Sequence, residues 1–580
     1  MENNFVVSEG TKVIKAKAFF ENETLTSAVI PDSVTEIGAS AFAYCSNLEE
    51  VILPSSLVKI GKQAFEYCTN LSKIVLPNSL VEIEEGAFAY CFKLTEIVIP
   101  NSITVIRNGC FYSSGLTSIV WPESLEAIEE EAFEDCKFTS LVIPETVTNI
   151  GPNTFMGCKN LQDITLPKLA TIPSFLFADC PALKQVVMPE SVTSIGKQAF
   201  RGCTSLESLY IGENVGNIAK DAFWRCSFNL SIDPNNTRYY NDGCNVLVDK
   251  QTNVLLQGFG NTAIPQSVVA IGETAFLNCA ALTEIHIPDG VTEIKNRAFE
   301  GCKNLTKVTM GNGVHSIGYN AFAMCDSLAD VHFSPELISI ERGAFEGCTS
   351  LSVVELPSKV SVIKSSAFRH CPIQSIVLPD SIRQIGFQSF EDTQISSLVI
   401  PAGVNEVECS GIPNLESITV EEGNPYFDSR DNCNAIINTS QNKLVMGCKN
   451  TIIPSSVESI DRFAFNGTSL KQITIPETVL SIGNYAFEKT SLKQITIPET
   501  VQSVGNSTFD DCAELETITF EGGKIEISYP LMLRNCTSLK TIMVPAKKAK
   551  YFTKRINEEF HDMIVEQAPV KKTKTKAKAE

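Results

Sequence analysis

The chain has 580 residues, of which 43% are hydrophobic and 20% are charged, and its formal net charge is −20 at pH 7. This composition is compatible with a continuous core. The apolar runs, such as Ile97–Ile99, are far shorter than the roughly 18 residues of a membrane span, so no transmembrane segment is predicted. The acidic balance would repel nucleic acid and anionic membranes, and neither is an expected partner.

The start of the chain carries no visible export signal. Met1–Gly10 has neither a basic segment nor an apolar segment of about 7 to 15 residues. The sequence therefore predicts a cytoplasmic protein.

A phenylalanine recurs every 22 or 23 residues along most of the chain. Self-similarity at this period is typical of a solenoid, whose units are too small to bury their own apolar faces and must stack on their neighbours. The repeated phenylalanines are Phe19, Phe42, Phe65, Phe88, Phe111, Phe133, Phe155, Phe177, Phe200, Phe223, Phe276, Phe299, Phe322, Phe345, Phe368, Phe390, Phe465, Phe487 and Phe509.

Residues 48–70 represent one repeat. Strand alternation places Val51 and Leu53 on one face, which enters the core, and Glu50 and Ile52 on the other, which meets solvent. Pro54 ends that strand because it has no N–H to donate. A second short strand is expected before Gly61, where glycine would permit a turn conformation that a side chain penalises. The spacing of Ala64, Phe65 and Cys68 predicts one short helical turn that packs between coils.

Two interruptions divide the repeats into blocks, and each interruption has the pattern of an enlarged coil with a β-hairpin. Each is either a structural coil with extra decoration or a dedicated binding loop. The predicted order is a cap with a degenerate first coil in residues 1–24, a first repeat block in 25–229, an enlarged coil in 230–262, a second block in 263–417, an enlarged coil in 418–451, a third block in 452–545, a C-terminal cap in 546–567 and a disordered basic tail in 568–580.

The repeat motif, L-x-x-I-x-L-P-x-S-V-x-x-I-G-x-x-A-F-x-x-C, resembles the BspA-type leucine-rich repeat of bacterial and protozoan surface proteins. The resemblance covers residues 11–545 in about 21 coils of 22 to 23 residues. It implies a leucine-rich-repeat solenoid of the α/β class, a curved superhelix of mostly short parallel strands with the sheet on the concave side. It also implies, as an alternative, a cell-surface or secreted adhesin that binds host matrix or other cells.

Fourteen of the 20 cysteines lie three residues after a repeat phenylalanine, so they occupy one structural position. Ser114, Thr393, Thr468 and Thr490 stand at equivalent positions, which favours a shared hydrogen-bond donor over a redox device. We therefore expect buried, reduced thiols, with no disulfide framework and no zinc site.

No catalytic or cofactor-binding motif is present in the sequence. His286 and His332 fall at the same exposed strand position two coils apart, about 9 to 10 Å, which is too far for them to share a metal ion directly. We expect no catalytic residue, cofactor or metal. An enzymatic or carbohydrate-binding site in the enlarged coils is an unfavoured alternative that rests only on Tyr239-Tyr240 and Tyr426-Phe427.

The exposed strand position between the two inward residues is nearly all apolar in the first block. It would form a stripe on the sheet, which either reflects β-propensity alone or is a recognition surface for a protein or peptide. The main hypothesis is a monomeric, non-enzymatic interaction scaffold that binds its partner on the concave sheet. The candidate partner-binding residues are Val29, Ile52, Val75, Val98, Val120, Val142, Val187 and Tyr210.

Overall fold

The computed structural model describes residues 4–260, 262–527 and 533–568. The chain divides into two compact units, Met1–Pro265 and Gln266–Glu580. Each unit is a solenoid of stacked short strands, and the chain makes about 24 turns with very little helix. The number of turns is slightly above the predicted one. The strands Asn4–Val6 and Ile564–Glu566, outside the repeat region recognised in the sequence, also pair with the adjoining coils.

In the first unit, the first strand of each coil lies in one file with its equivalents, and we call this file ladder A. Its described strands pair in parallel in four separate groups. Glu50 stands opposite Ser27 on one side and Lys73 on the other, so the register advances by one coil per strand. The strands are Asn4–Val6, Ser27–Val29, Glu50–Ile52, Lys73–Ile74, Glu96–Val98, Ser118–Val120, Ser140–Val142, Asp163–Thr165, Gln185–Val187, Ser208–Ile211 and Asn229–Ile232.

A second file of two-residue strands, ladder B, follows the proline turn. It is also parallel, with Ile37 opposite Ile60 and Ile60 opposite Ile83. In the first unit its strands are Val13–Ile14, Glu36–Ile37, Lys59–Ile60, Glu82–Ile83, Val105–Ile106, Ala127–Ile128, Asn149–Ile150, Thr171–Ile172, Ser194–Ile195 and Asn217–Ile218.

The second unit repeats both ladders. Its ladder A strands are Glu284–Ile287, Lys307–Met310, Asp330–His332, Ser397–Ile400, Ser417–Val420, Gln494–Ile497, Thr517–Phe520, Thr541–Val544 and Ile564–Glu566. Its ladder B strands are Ala270–Ile271, Glu293–Ile294, Ser316–Ile317, Ser339–Ile340, Val362–Ile363, Gln384–Ile385, Glu406–Val407, Ser459–Ile460, Ser481–Ile482, Ser503–Val504 and Glu526–Ile527.

Each unit contains one enlarged coil with antiparallel strands. These are Tyr239–Tyr240, Val246–Asp249 and Val254–Gly258 in the first unit, and Phe427–Asp428, Ala435–Asn438 and Lys443–Gly447 in the second. The helices of the described chain are short: the 3-10 turns Arg430–Asn432 and Glu558–Met563, and the α-helix Ala549–Thr553. Phe552 of that α-helix is buried, and its ring packs at a tilt against that of Phe520, with the centroids 4.9 Å apart. The predicted basic tail lies outside the described residues apart from Ala568.

The repeat phenylalanines form a buried spine in each unit, as their spacing predicts. In the first unit, the rings of Phe42, Phe65 and Phe88 are fully buried and nearly parallel, with centroids 5.2 and 5.4 Å apart. In the second unit, Phe299 and Phe322 stack at 4.9 Å. Stacked aromatic rings add favourable geometry to a large buried apolar area, so the spine is the main apolar core of each coil.

The segment around each phenylalanine takes a different form from the predicted helical turn. The residues two before and two after Phe65, Gln63 and Tyr67, have positive φ angles of 56° and 57°. Amide groups alternate there: Gln63, Phe65 and Tyr67 donate to the next coil, while Ala64, Glu66 and Cys68 donate to the residue three before them. Two residues of the segment with left-handed backbone conformations interrupt a right-handed helix. The segment is therefore a series of consecutive tight turns.

Gly61 is required for a reason other than the predicted backbone conformation. A Cβ atom built on Gly61 would lie 2.9 Å from the backbone atoms Ala39 N, Gly38 C and Ile37 O of the preceding coil. Gly61 also donates its N–H to the Ile37 carbonyl at 2.8 Å. The glycine therefore permits two coil backbones to approach closely at the end of ladder B.

All 20 cysteines are free thiols, and most are buried. The Sγ–H of Cys68 donates to the Phe42 carbonyl of the preceding coil at 3.1 Å, and Cys91 does the same to Phe65 at 3.2 Å. Burial raises the pKa of the Cys45 thiol to about 11. A thiol with a raised pKa carries little thiolate at neutral pH, so these side chains act as packing groups and hydrogen-bond donors.

Candidate protein-binding face

The structure places the predicted stripe on the outer face of ladder A in the first unit. Val51 and Ile97 point into the core, and the residues that follow them, Ile52 and Val98, are exposed because side chains alternate along a strand. Val75, Val120, Val142, Val187 and Tyr210 are exposed as well, and Val29 is half-buried. These eight residues share one face, in the order in which the sequence predicts them.

The stripe is continuous within the paired parts of the ladder. Val29 stands opposite Ile52, and Val98 stands opposite Val120. The exposed Thr165 stands between Val142 and Val187 and is the one polar residue in the file. At the usual spacing of about 4.8 Å between strands, the nine side chains extend over about 40 Å.

Polar residues border the stripe along the strand starts. Glu50 stands opposite Lys73, and Glu96 stands opposite Ser118. At the end of the stripe, the hydroxyl of Tyr210 donates to the Asp233 carboxylate of the next coil. The arrangement is an apolar centre with a mixed polar rim, which is the usual composition of a protein interface.

The same face of the second unit is more polar. His286, Thr309 and His332 occupy successive strands, so a threonine separates the two histidines. The imidazole Nδ1 of His332 lies 3.2 Å from Asp330, which also pairs with Lys307. Within the described ranges, no group of three His, Cys, Asp or Glu side chains has an arrangement that could hold a metal ion.

A second exposed feature of the first unit was not recognised in the sequence. Tyr44, Tyr67 and Tyr90 lie two residues after successive repeat phenylalanines, and their rings stack at 4.7 and 4.0 Å. Tyr112 continues the file, with its ring 5.1 Å from that of Tyr90. The sequence does contain a pattern that indicates this file, because an alignment of the coils on their phenylalanines puts three tyrosines in one column.

A groove of about 440 Å³ adjoins the tyrosine file. Tyr90 and Tyr112 line it together with four carboxylates and one lysine: Glu66, Glu85, Glu131, Glu134 and Lys62. Burial, and secondly repulsion from Glu131, Asp135 and Glu130, raises the pKa of Glu134 from its ordinary value of 4.5 to about 7. The groove therefore combines aromatic walls with an excess of negative charge.

The enlarged coils use an equivalent asparagine to attach to the coil before them. In the first unit, the Nδ2 group of Asn236 donates to the carbonyls of Gly212 and Val215 at 2.8 and 3.0 Å. In the second unit, Asn424 donates to Pro401 and Val404 at 3.1 and 2.9 Å. These bonds satisfy backbone acceptors that a regular coil satisfies by other means, which indicates a structural task for this part of each insertion.

Some of the aromatic residues of the insertions are buried in the core. Tyr239 and Phe427 are buried, and the Tyr239 hydroxyl accepts a hydrogen bond from the Ile218 N–H at 3.0 Å. A cavity of about 330 Å³ lies beside the second hairpin, and charged groups on its wall are paired, Arg462 with Glu408 at 2.6 Å and Lys443 with Asp461 at 3.1 Å. Paired charges leave little electrostatic potential for a ligand.

The fold and the exposed face define a class of protein: a leucine-rich-repeat scaffold. No helix of the described chain is long and apolar enough to cross a membrane. The family model for the BspA type leucine rich repeat region (6 copies) matches residues 12–138, 126–244, 257–372, 316–431 and 436–558. The chain belongs to this family.

Solved bacterial structures share the repeat. A leucine-rich repeat protein from Bacteroides ovatus is 26% identical, and the match covers 68% of this chain and 92% of that one, with a TM-score of 0.43. A leucine rich cell surface protein from Faecalibacterium prausnitzii is 26% identical over 71% of this chain and 88% of that one, with a TM-score of 0.27. No curated protein matches the chain.

Proposed function

We propose that this protein is a non-enzymatic interaction scaffold that binds a protein or peptide partner on the outer face of ladder A in the first unit. The observation that carries the proposal is the file of exposed apolar side chains from Ile52 to Tyr210 on one face of a sheet. Soluble monomers rarely expose a contiguous apolar patch of more than a few hundred Å², and larger patches mark interaction sites.

The difference in composition between the two units also favours a recognition surface over β-propensity as the explanation of the stripe. Both units build ladder A from the same repeat, yet the second unit has His286, Thr309 and His332 at the stripe position where the first has valines. Exposed valine returns there at Val377 and Val399. β-Propensity alone would be satisfied by threonine at every coil. Valine is therefore concentrated in the first unit, and β-propensity alone does not account for this concentration.

A surface adhesin is the second candidate, and family membership favours it. The Faecalibacterium prausnitzii structure is that of a leucine rich cell surface protein. An adhesin would use the same outer face, because its partner would also be a protein. Cell fractionation separates the two candidates: the cytoplasmic scaffold remains with the soluble fraction, and the adhesin is accessible to protease added to intact cells.

Charge placed at the centre of the stripe tests the proposed face. We expect Val98→Glu combined with Val120→Glu to abolish partner capture from a native lysate without unfolding the protein, since both side chains leave the sheet on the face opposite the core. The matched control combines Thr474→Glu with Thr496→Glu at the same repeat position of the second unit, where both residues are exposed.

Circular dichroism checks that both variants fold, and quantitative mass spectrometry compares the proteins that each immobilised variant retains. The proposal requires a set of proteins that the control retains and the valine variant loses. Equal retention by the two variants would show that the stripe is not the binding face.

A further inference from the structure

Two columns of side chains face each other across the tight turns of every coil. One column lies two residues before the repeat phenylalanine and the other lies one residue after it. In some coils the two side chains pair: Gln63 donates to Glu66 at 3.1 Å, and Arg297 pairs with Glu300 at 2.5 Å. In other coils one or both columns hold short or apolar side chains, as in Ser40 with Ala43.

Two successive coils of the first unit have glycine two residues before the repeat phenylalanine. Gly86 and Ala89 occupy the two columns around Phe88, and Gly109 and Tyr112 occupy them around Phe111. Gly86 and Gly109 have φ angles of 63° and 56°, which glycine adopts at no steric cost. The missing side chains create the groove of about 440 Å³ whose wall is formed by Tyr90 and Tyr112.

At the far end of the groove, both columns hold an acidic residue and neither holds a basic one. Glu131 and Glu134 surround Phe133 in the positions that Arg297 and Glu300 occupy in the second unit. The Glu134 residue is only 8% exposed. In the part of the chain that the structure describes, no side chain pairs with its carboxylate, which keeps some contact with solvent.

Other glutamates at the Glu134 position have partners. Glu391 pairs with Arg369 at 2.6 Å, Glu346 lies 3.5 Å from the same guanidinium, and Glu488 accepts a hydrogen bond from Asn466 at 2.7 Å. A buried carboxylate without a partner is costly, and a buried acid is ordinarily paired or hydrogen-bonded. Glu134 thus lacks the amide or guanidinium donor that these other glutamates have.

We propose that this groove binds an arginine side chain of a partner protein. The guanidinium would complete the pairing at Glu134 and Glu131, and its planar face would stack on one of the two tyrosine rings, Tyr90 or Tyr112, which lie at 63° to each other. Lys62 does not meet this need, because it is already paired with Glu85. With every group ionised, the four carboxylates and the lysine leave the groove at a net charge of −3, which complements a cation.

Arginine fits the groove better than lysine for two physical reasons. Its planar guanidinium presents two parallel N–H groups to a carboxylate, and it stacks on aromatic rings as well as attracting them as a cation. A lysine ammonium is a compact and strongly hydrated charge, so its desolvation beside two tyrosines costs more. The site lies on the tight turns and does not depend on the stripe of ladder A.

The test uses a fluorescein-labelled peptide in which four arginines alternate with glycine, and a matched peptide in which citrulline replaces arginine. Citrulline keeps the planar shape and removes the charge. At physiological salt, where screening acts over about 8 Å, we expect the arginine peptide to bind the full-length protein at least about tenfold more tightly by fluorescence anisotropy. A lysine peptide should bind more weakly than the arginine peptide.

Glu134→Gln should lower the affinity for the arginine peptide about tenfold, because it removes the charge and keeps the shape of the side chain. Glu488→Gln is the matched control at the same repeat position of the second unit, and it should leave the affinity unchanged. Tyr90→Leu should weaken binding severalfold while keeping an apolar side chain in the file. Equal losses in the two glutamine variants would reveal general attraction to an acidic protein, and equal affinity for the arginine and citrulline peptides, or for arginine and lysine, would overturn the assignment.

Discussion

At the scale of single residues, the repeat selects side chains by the hydrogen bond that they make in a buried turn. The cysteine three residues after each phenylalanine donates its S–H to the phenylalanine carbonyl of the preceding coil, at 3.1 Å for Cys203 and 3.0 Å for Cys371. Thr468 and Thr490 stand at the same position and donate to the phenylalanine carbonyl of their own coil at 2.7 and 2.8 Å. The sequence predicts this equivalence, because a thiol and a hydroxyl share a donor hydrogen.

The pKa of Glu134 leads to a prediction about stability and pH. Burial and repulsion from Glu131, Asp135 and Glu130 raise its pKa from 4.5 to about 7, and Tyr112 is the titratable group that faces it from the preceding coil. The folded protein therefore binds more protons than the unfolded chain between these values, and stability falls as the pH rises through them. Glu134→Gln removes this cost, so it should raise the melting temperature at pH 8 and change it little at pH 4.5.

Thermal unfolding of the two proteins across this pH range measures the effect, with the exposed Glu49→Gln as the control. A difference between Glu134→Gln and the wild type that stays constant from pH 4.5 to 8 would contradict the assigned environment.

At the scale of the coil, the sequence predicts what is buried better than it predicts how the backbone turns. Apolar alternation and Pro54 correctly indicate the ladder A strand Glu50–Ile52. The spacing of Ala64, Phe65 and Cys68 suggests a helical turn, but the same spacing suits consecutive tight turns whose amides bond alternately within the coil and to the next coil. Those bonds to the next coil are tertiary contacts, so the pattern of one coil could not predict them.

Truncation of the phenylalanine spine tests the packing of a coil. Phe88 is fully buried and stacks on Phe65 and Phe111 at 5.4 and 5.6 Å. Phe88→Ala should lower the free energy of unfolding by about 3 to 5 kcal/mol, because it removes buried area and leaves a cavity that the stacked rings cannot fill. Glu49→Ala on the surface should change it by less than about 0.5 kcal/mol. Denaturant unfolding gives both values, and equal effects would refute the assignment of inside and outside.

At the scale of the whole molecule, the period of the phenylalanines was sufficient to predict a leucine-rich-repeat solenoid, because each coil can bury its apolar face only by stacking. The predicted stripe residues lie on one exposed face, since strand alternation decides which side chains leave the core. The groove beside Tyr90 was not predicted from the sequence. It arises where Gly86, Ala89 and Gly109 leave space among the side chains of four neighbouring coils, and the sequence of a single coil does not reveal such a space.

Site-specific photocrosslinking tests the central claim, that the ladder A stripe of the first unit is a protein-binding face, most directly. A photoreactive benzoylphenylalanine would replace Val98 in one protein and Thr496 in another, since both positions are exposed and equivalent in the repeat. After irradiation in a native lysate, we predict a discrete cross-linked product from position 98 and none from position 496. No product from position 98, or the same products from both positions, would contradict the claim.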